Sequence, residues 1–164
     1  MKFQVEHRFS GLTLAEYEKL YFDEAFNQAL CDTVGLQRVL VSLDDDGKRI
    51  RRSVRVAPDR EVPAPVAKVI GAVKLEYTET VEYVWGSGRG TWTTTPQVLP
   101  DKVKSSGDFR FTASGSDVLR AVSGEIEVKI FGLGGLVEKF IVADVEKSYD
   151  KAAEFTRNWL ASKR

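Results

Sequence analysis

The sequence predicts an α+β fold in which one curved antiparallel sheet of seven strands is covered by a long C-terminal helix. Three observations carry this. The period-two segments that follow the first helical region are joined mainly by short turns, which makes neighbouring strands antiparallel. Two short helical segments follow the first strand. From Leu133 to Leu160 apolar residues recur at steps of mostly three and four, the stripe of one long amphipathic helix. A sheet with one apolar face and a helix with one apolar stripe bury both by packing together. A curved sheet gripping a helix does so with a concavity that leaves room for a cavity.

The elements follow in order. Phe3, Val5, His7 and Phe9 alternate with Lys2, Gln4, Glu6 and Arg8, a strand with one face inward. Thr13 and Glu16 have capping-box spacing, with Leu12 and Tyr17 as the hydrophobic staple. Helical composition continues to Val34, Gly35 is a natural stop, and Asp23 in YFDEAF is a second helix start. VLVSL then leads into the hairpin turn Asp44 to Gly47, and the next strand runs from about Arg49 to Val56. Pro58, Pro63 and Pro65 make an irregular connection with room for one short helix before Gly71. Strands are expected over Lys74 to Trp85, Thr91 to Pro96, Val103 to Thr112 and Val118 to Ile130, separated by glycine-rich or Pro-Asp turns. The final helix, at some 25 residues, would span roughly 38 Å.

Composition narrows the function. The 164 residues fit one domain, 1–164, with its own core. Lys+Arg and Asp+Glu are both 24, so no net charge draws nucleic acid or an anionic membrane. Cys31 and His7 are the only residues of their kinds, which rules out an internal disulfide and the usual zinc sites. The N-terminus lacks the apolar core of a signal peptide, and no apolar run approaches the ~20 residues of a membrane span. A cytoplasmic protein with no cofactor, no nucleic-acid partner and no stable membrane insertion is expected.

Two motifs invite other readings. IFGLGGLVEKFIV places Gly132, Gly134 and Gly135 between strand and helix, as a phosphate loop would. A dinucleotide fingerprint needs G-x-G-x-x-G within a βαβ unit, whereas here the spacing is G-x-G-G and the helix is the last element. The glycines fit a sharp strand-to-helix turn that could also gate a cavity. In the basic run KRIRRSVR, alternation puts Ile50, Arg52, Val54 and Val56 on one face and Arg49, Arg51, Ser53 and Arg55 on the other. Glu76, Thr78, Thr80 and Glu82 alternate likewise on the following strand, so a solvent-side ladder of Arg and Glu is expected rather than a nucleic-acid patch.

The order of elements, with FQVEHRF, LYFDEAFNQALCDTVG, VPAPVAKVIG and IFGLGGLVEKFI, resembles the START-like or helix-grip superfamily over the whole chain. That superfamily includes the birch-pollen allergen type, polyketide cyclases and lipid-transfer START domains, and the chain looks like one of its bacterial families of unknown function. The resemblance implies a hydrophobic cavity between sheet and helix that binds apolar small molecules. Catalytic residues differ between its enzyme families, so none is carried over.

Alternation places Val39, Val41 and Leu43 inward, together with Tyr77, Val81, Tyr83, Phe109 and Phe111. His7, Arg52, Glu79 and Arg120 interrupt this apolar wall. Glu79 and Arg52 either pair with each other or orient the polar end of an apolar ligand. His7 reads as a hydrogen-bonded core residue, far in strand order from Glu79. Cys31 has no nearby histidine in sequence, and no G-x-S-x-G elbow is present. The expected ligand-binding residues are His7, Arg52, Tyr77, Glu79, Tyr83, Trp92, Phe109, Phe111, Arg120, Phe140 and Ile141. The expected function is binding of a lipid or other hydrophobic small molecule. The alternatives are a cyclase- or hydratase-type enzyme in the same cavity and an interaction module whose cavity is collapsed.

Overall fold

In the computed structural model, which describes residues 1–163, the chain runs β1 (Lys2–Ser10), α1 (Leu14–Tyr21), α2 (Glu24–Val34), β2 (Leu36–Asp45), β3 (Arg49–Pro58) and α3 (Ala64–Ile70). It continues with β4 (Tyr77–Val84), β5 (Arg89–Pro96), β6 (Val103–Ser114), β7 (Asp117–Val128) and α4 (Gly134–Ser162). Arg164, the last residue of the expected domain, lies outside the described residues. All seven strands form one antiparallel sheet in the order β1-β7-β6-β5-β4-β3-β2. Only β1 sits away from its sequence neighbours, because α1 and α2 carry the chain from one edge of the sheet to the other.

Local chemistry sets the boundaries. The Thr13 hydroxyl accepts from the Glu16 amide at 3.1 Å and the Glu16 carboxylate accepts from the Thr13 amide at 3.3 Å, the reciprocal box that starts α1. Asp23 accepts from the Phe26 amide at 2.7 Å and starts α2, which ends at Gly35 with φ 78°. β4 begins at Tyr77, later than alternation predicts, because the Val73 carbonyl accepts from the Val62 amide at 2.8 Å. That bond ties residue 73 to the proline segment instead of the sheet.

One strand departs from its expected phase. Val39, Val41 and Leu43 are 55%, 52% and 43% exposed. Arg38 pairs with Val56 and Val39 with Arg55, so Arg38 is on the inner face and Val39 on the outer one. A bulge between Leu40 and Ser42 then shifts the register. Leu43, opposite Arg52, returns to the inner face but stays open at the sheet edge. The reason is Glu24 of α2, which receives Arg38 through two bonds of 2.6 and 2.9 Å and compensates its inward placement. The expected ladder forms in part: Arg51 faces Glu82, joined at 3.0 Å, and the Ser53 and Thr80 hydroxyls meet at 2.9 Å.

The helices cover the concave face unevenly. α4 packs on β1 and β7, α2 on β2 and α4, and α1 on β6. One end of the middle strands is plugged by rings: Tyr21 stacks on Phe109 at 5.4 Å, Tyr83 on Phe109 at 5.8 Å, and Tyr17 meets Phe111 edge-on at 4.8 Å. Glu18 pins this plug. Its buried carboxylate accepts from the Tyr83 hydroxyl and, at 2.7 Å, from the Gly86 amide. At the other end of the same strands no comparable plug forms among the described residues.

The glycine turn behaves as a packing device. A Cβ on Gly134 would stand 2.1 Å from the Val128 carbonyl oxygen, whereas one on Gly135 would meet nothing within 4 Å. Gly134→Ala is therefore expected to cost about 1–3 kcal/mol through overpacking. Gly135→Ala is expected to be neutral or slightly stabilising, by up to about 1 kcal/mol. Equilibrium urea unfolding of the two variants checks this; equal stabilities would contradict it.

Candidate functional site

The unplugged end of the concave face holds a cavity of about 260 Å³. Its sheet wall comes from the far ends of the middle strands, with Val54, Val56, Tyr77, Glu79, Thr94 and Pro96 among its residues. The helices close it with Phe26, Leu30, Phe140, Ile141, Val145 and Tyr149. The volume lies just below the range of roughly 300–1,000 Å³ usual for small-molecule pockets. At its rim Arg60 forks onto Asp144 through bonds of 2.9 and 2.8 Å, joining the proline segment to α4.

Of the residues expected from sequence, Arg52, Tyr77, Glu79, Trp92, Arg120, Phe140 and Ile141 border this cavity together. Tyr83, Phe109 and Phe111 do not. They share the inner face, as alternation requires, but lie within the aromatic plug. His7 is also off the wall: its Nε2 meets Asp150 at 2.7 Å and its Nδ1 meets Arg120 Nη2 at 3.1 Å. Because arginine only donates, Nδ1 accepts and Nε2–H donates to Asp150. Trp92 is buried wall, with its Nε1–H on the Ser123 carbonyl at 3.2 Å and its ring where a side chain on Gly124 would stand. Nor does the glycine turn form a door, since no residue from 130 to 136 borders the cavity and α4 first reaches it at Phe140.

Sequence reasoning missed the contribution of α1 and α2. Tyr17, Tyr21, Phe26 and Cys31 all border the cavity. The available signal was the i, i+4 spacing of Tyr17 and Tyr21 on one helix face. Arg38, missed by the phase error, is a wall residue too.

Two buried cations face this space. Arg52 is 4% exposed, donates from Nη1 to the Tyr21 carbonyl at 3.2 Å, and lies over the Tyr21 and Phe22 rings at 5.5 and 5.1 Å. Arg120 is 5% exposed and lies over the Phe9 and Tyr149 rings at 5.2 and 5.1 Å. Among the described residues neither forms an ion pair with a carboxylate, and the buried Nε–H of each has no hydrogen-bond partner. Glu79 likewise has no ion-pair or hydrogen-bond partner among the described residues. Burial pushes its carboxyl above the usual range, against the opposing pull of Arg52 and Arg38. Burial also raises the Tyr77, Tyr21 and Tyr149 hydroxyls, and Cys31 is pushed up to about 11, which leaves its thiol protonated and unreactive. The wall therefore offers neutral hydroxyl donors, two guanidinium donors and one carboxyl that resists ionisation.

The raised carboxyl has a consequence for stability. A group whose folded pKa exceeds its unfolded value favours folding below the unfolded value, near 4.5 here, and loses that contribution as pH rises through the folded value. Glu79→Gln is expected to raise the melting temperature at pH 7.5 and to lose that advantage near pH 4. Thermal melts at both pH values check this, and a variant less stable than wild type at pH 7.5 would contradict it.

Comparison with known proteins places this architecture. The chain superimposes on TTHA0849 from Thermus thermophilus with a TM-score of 0.67 at 18% identity, covering 100% of both chains. It superimposes on the ZhuI aromatase/cyclase from Streptomyces sp. R1128 with a TM-score of 0.65 at 11% identity, covering 96% of this chain and 93% of that one. A START superfamily protein from Mycobacterium smegmatis gives 0.57 at 18% identity, over 97% of this chain and 98% of that one. At these identities the likeness establishes the fold, which is helix-grip and START-like. No curated protein sequence matches the chain. The family described as Protein of unknown function (DUF2505) matches residues 4–160, and the chain belongs to that family.

Proposed function

We propose that this chain acts as one binding unit that holds a small hydrophobic molecule between the sheet and α4. The observation that carries the reading is the cavity itself, apolar over most of its wall and furnished with a few unpartnered polar groups. Burying about 200 Å² of apolar ligand surface would contribute roughly 5 kcal/mol. That corresponds to sub-millimolar affinity before association costs. The polar groups would then fix orientation and supply the remainder. An open cavity argues against an interaction module with a collapsed interior.

One observation favours a second reading, an enzyme of the cyclase or hydratase type. Arg52 and Glu79 are held on one wall without pairing to each other, so a protonated Glu79 could donate a proton while Arg52 stabilises developing negative charge. His7 does not join them, because both its ring nitrogens are engaged elsewhere.

Titration of an apolar fluorescent probe, with native mass spectrometry of the purified protein, tests the binding reading. Saturable probe binding is expected, and Ala152→Phe, which places a ring in the cavity, should weaken it at least tenfold with the circular dichroism spectrum unchanged. No probe binding and no co-purifying small molecule would overturn the reading.

A further inference from the structure

We propose that the cavity takes amphiphilic acids head first, with a single oxyanion held at its inner end by Arg52 and Arg120. The proposal rests on the binding reading above and names the chemistry of the ligand.

Position is the first argument. Arg52 stands opposite Val81 in the sheet and Arg120 opposite Phe111, where the open part of the concave face gives way to the aromatic plug. From opposite sides of the sheet they approach one helix, α1: Arg52 bonds the Tyr21 carbonyl, and both cations act electrostatically on the Tyr21 hydroxyl. Both are cavity wall.

Unmet bonding is the second. Buried guanidinium groups ordinarily carry a carboxylate partner, because an isolated buried charge is costly. This chain follows that rule at Arg38, whose buried side chain forks onto Glu24, and even the partly exposed Arg60 forks onto Asp144. Arg52 and Arg120 break it. Aromatic faces soften the loss but accept no hydrogen bond in the guanidinium plane, and each Nε–H remains unpartnered. An oxyanion supplies the acceptor that both lack.

Charge count is the third. With the Arg38 and Arg60 pairs neutral, the wall holds two buried cations without an ion pair, Arg52 and Arg120, against two carboxyls, that of Glu79 and that of the solvent-exposed Glu61. Water screens the charge of the exposed Glu61, so among the groups held away from solvent the two guanidiniums outnumber the single carboxyl of Glu79 and leave one positive charge in excess even when Glu79 is ionised. An amine or quaternary ammonium head would add to that excess, and a plain alcohol would leave it uncompensated. A carboxylate matches the planar fork of a guanidinium, which makes it the simplest head of this class. The modest volume limits the body to a short or medium chain or a small ring system.

The test compares decanoate, decyl phosphate, decanol and decylamine, each by displacement of the same apolar probe at pH 7.5 and below its aggregation concentration. All four share one apolar body, so differences report the head. Wild-type protein is expected to bind decanoate at least tenfold more tightly than decanol and to bind decylamine more weakly than either. Arg52→Gln and Arg120→Gln are each expected to reduce the decanoate-to-decanol preference to about threefold or less while leaving decanol affinity within about threefold of wild type. Tighter binding of decyl phosphate than of decanoate supports the oxyanion head and assigns it to phosphate chemistry. Equal binding of decanoate and decanol by wild type, or a preference that survives in both variants, overturns the proposal while the binding reading stands. A bound probe that none of the four displaces overturns the proposal alone, whereas absence of probe binding together with no co-purifying small molecule overturns both. The wild-type comparison carries the test even if one variant does not fold.

Discussion

A seven-stranded sheet is too wide for one helix to cover, and the rest of the structure follows from that mismatch. Six inter-strand spacings of about 4.8 Å make a face roughly 29 Å across, against a helix diameter of about 10–12 Å. α4 settles on β1 and β7. α2 reaches back from α4 to β2, and α1 brings Tyr17 and Tyr21 onto the rings of β6. The aromatic plug fills one end of the middle strands, and what remains unfilled is the cavity. Curvature of the sheet and division of labour among four helices are two answers to the same geometric demand.

The polar groups on the wall show a different balance. A protein optimised only for stability would replace an unpaired buried arginine by an apolar residue of similar volume, often with a gain. Here two arginines are retained, cushioned by rings and half satisfied by a carbonyl and an imidazole. Groups kept at a cost to stability are the usual mark of a site. The contrast with Glu18 is instructive: it is equally buried, yet it receives the Tyr83 hydroxyl and the Gly86 amide, and so serves architecture.

Much of this was legible in the sequence. The capping box at Thr13, the helix start at Asp23, the stop at Gly35 and the hairpin at Asp46 and Gly47 are local chemistry, and each stands where its residues put it. So does the inward alternation of β3 and β4, which brings Arg52, Tyr77 and Glu79 to one wall. The phase of β2 was not legible, because Val39, Leu40 and Val41 form a continuous apolar run and only the distant Glu24 shows that Arg38 points inward. The limits of the cavity were hidden for a related reason. Tyr83 and Phe109 have the same alternation as Tyr77, and where along the strand the plug stops depends on where α1 lands. Gly134 similarly announced a turn but not that the turn would lie clear of the cavity.

The central claim is that a ligand lies inside, between the sheet and α4, and not on the exposed apolar patch of Phe131, Leu133 and Leu136 at the start of that helix. Isotope-filtered nuclear Overhauser measurements on protein labelled at the methyl groups of isoleucine, leucine and valine, with decanoate unlabelled, test this directly. The account predicts contacts from the chain of decanoate to the methyl groups of Val54, Leu75 and Ile141. Contacts confined to Leu133 and Leu136 would contradict it.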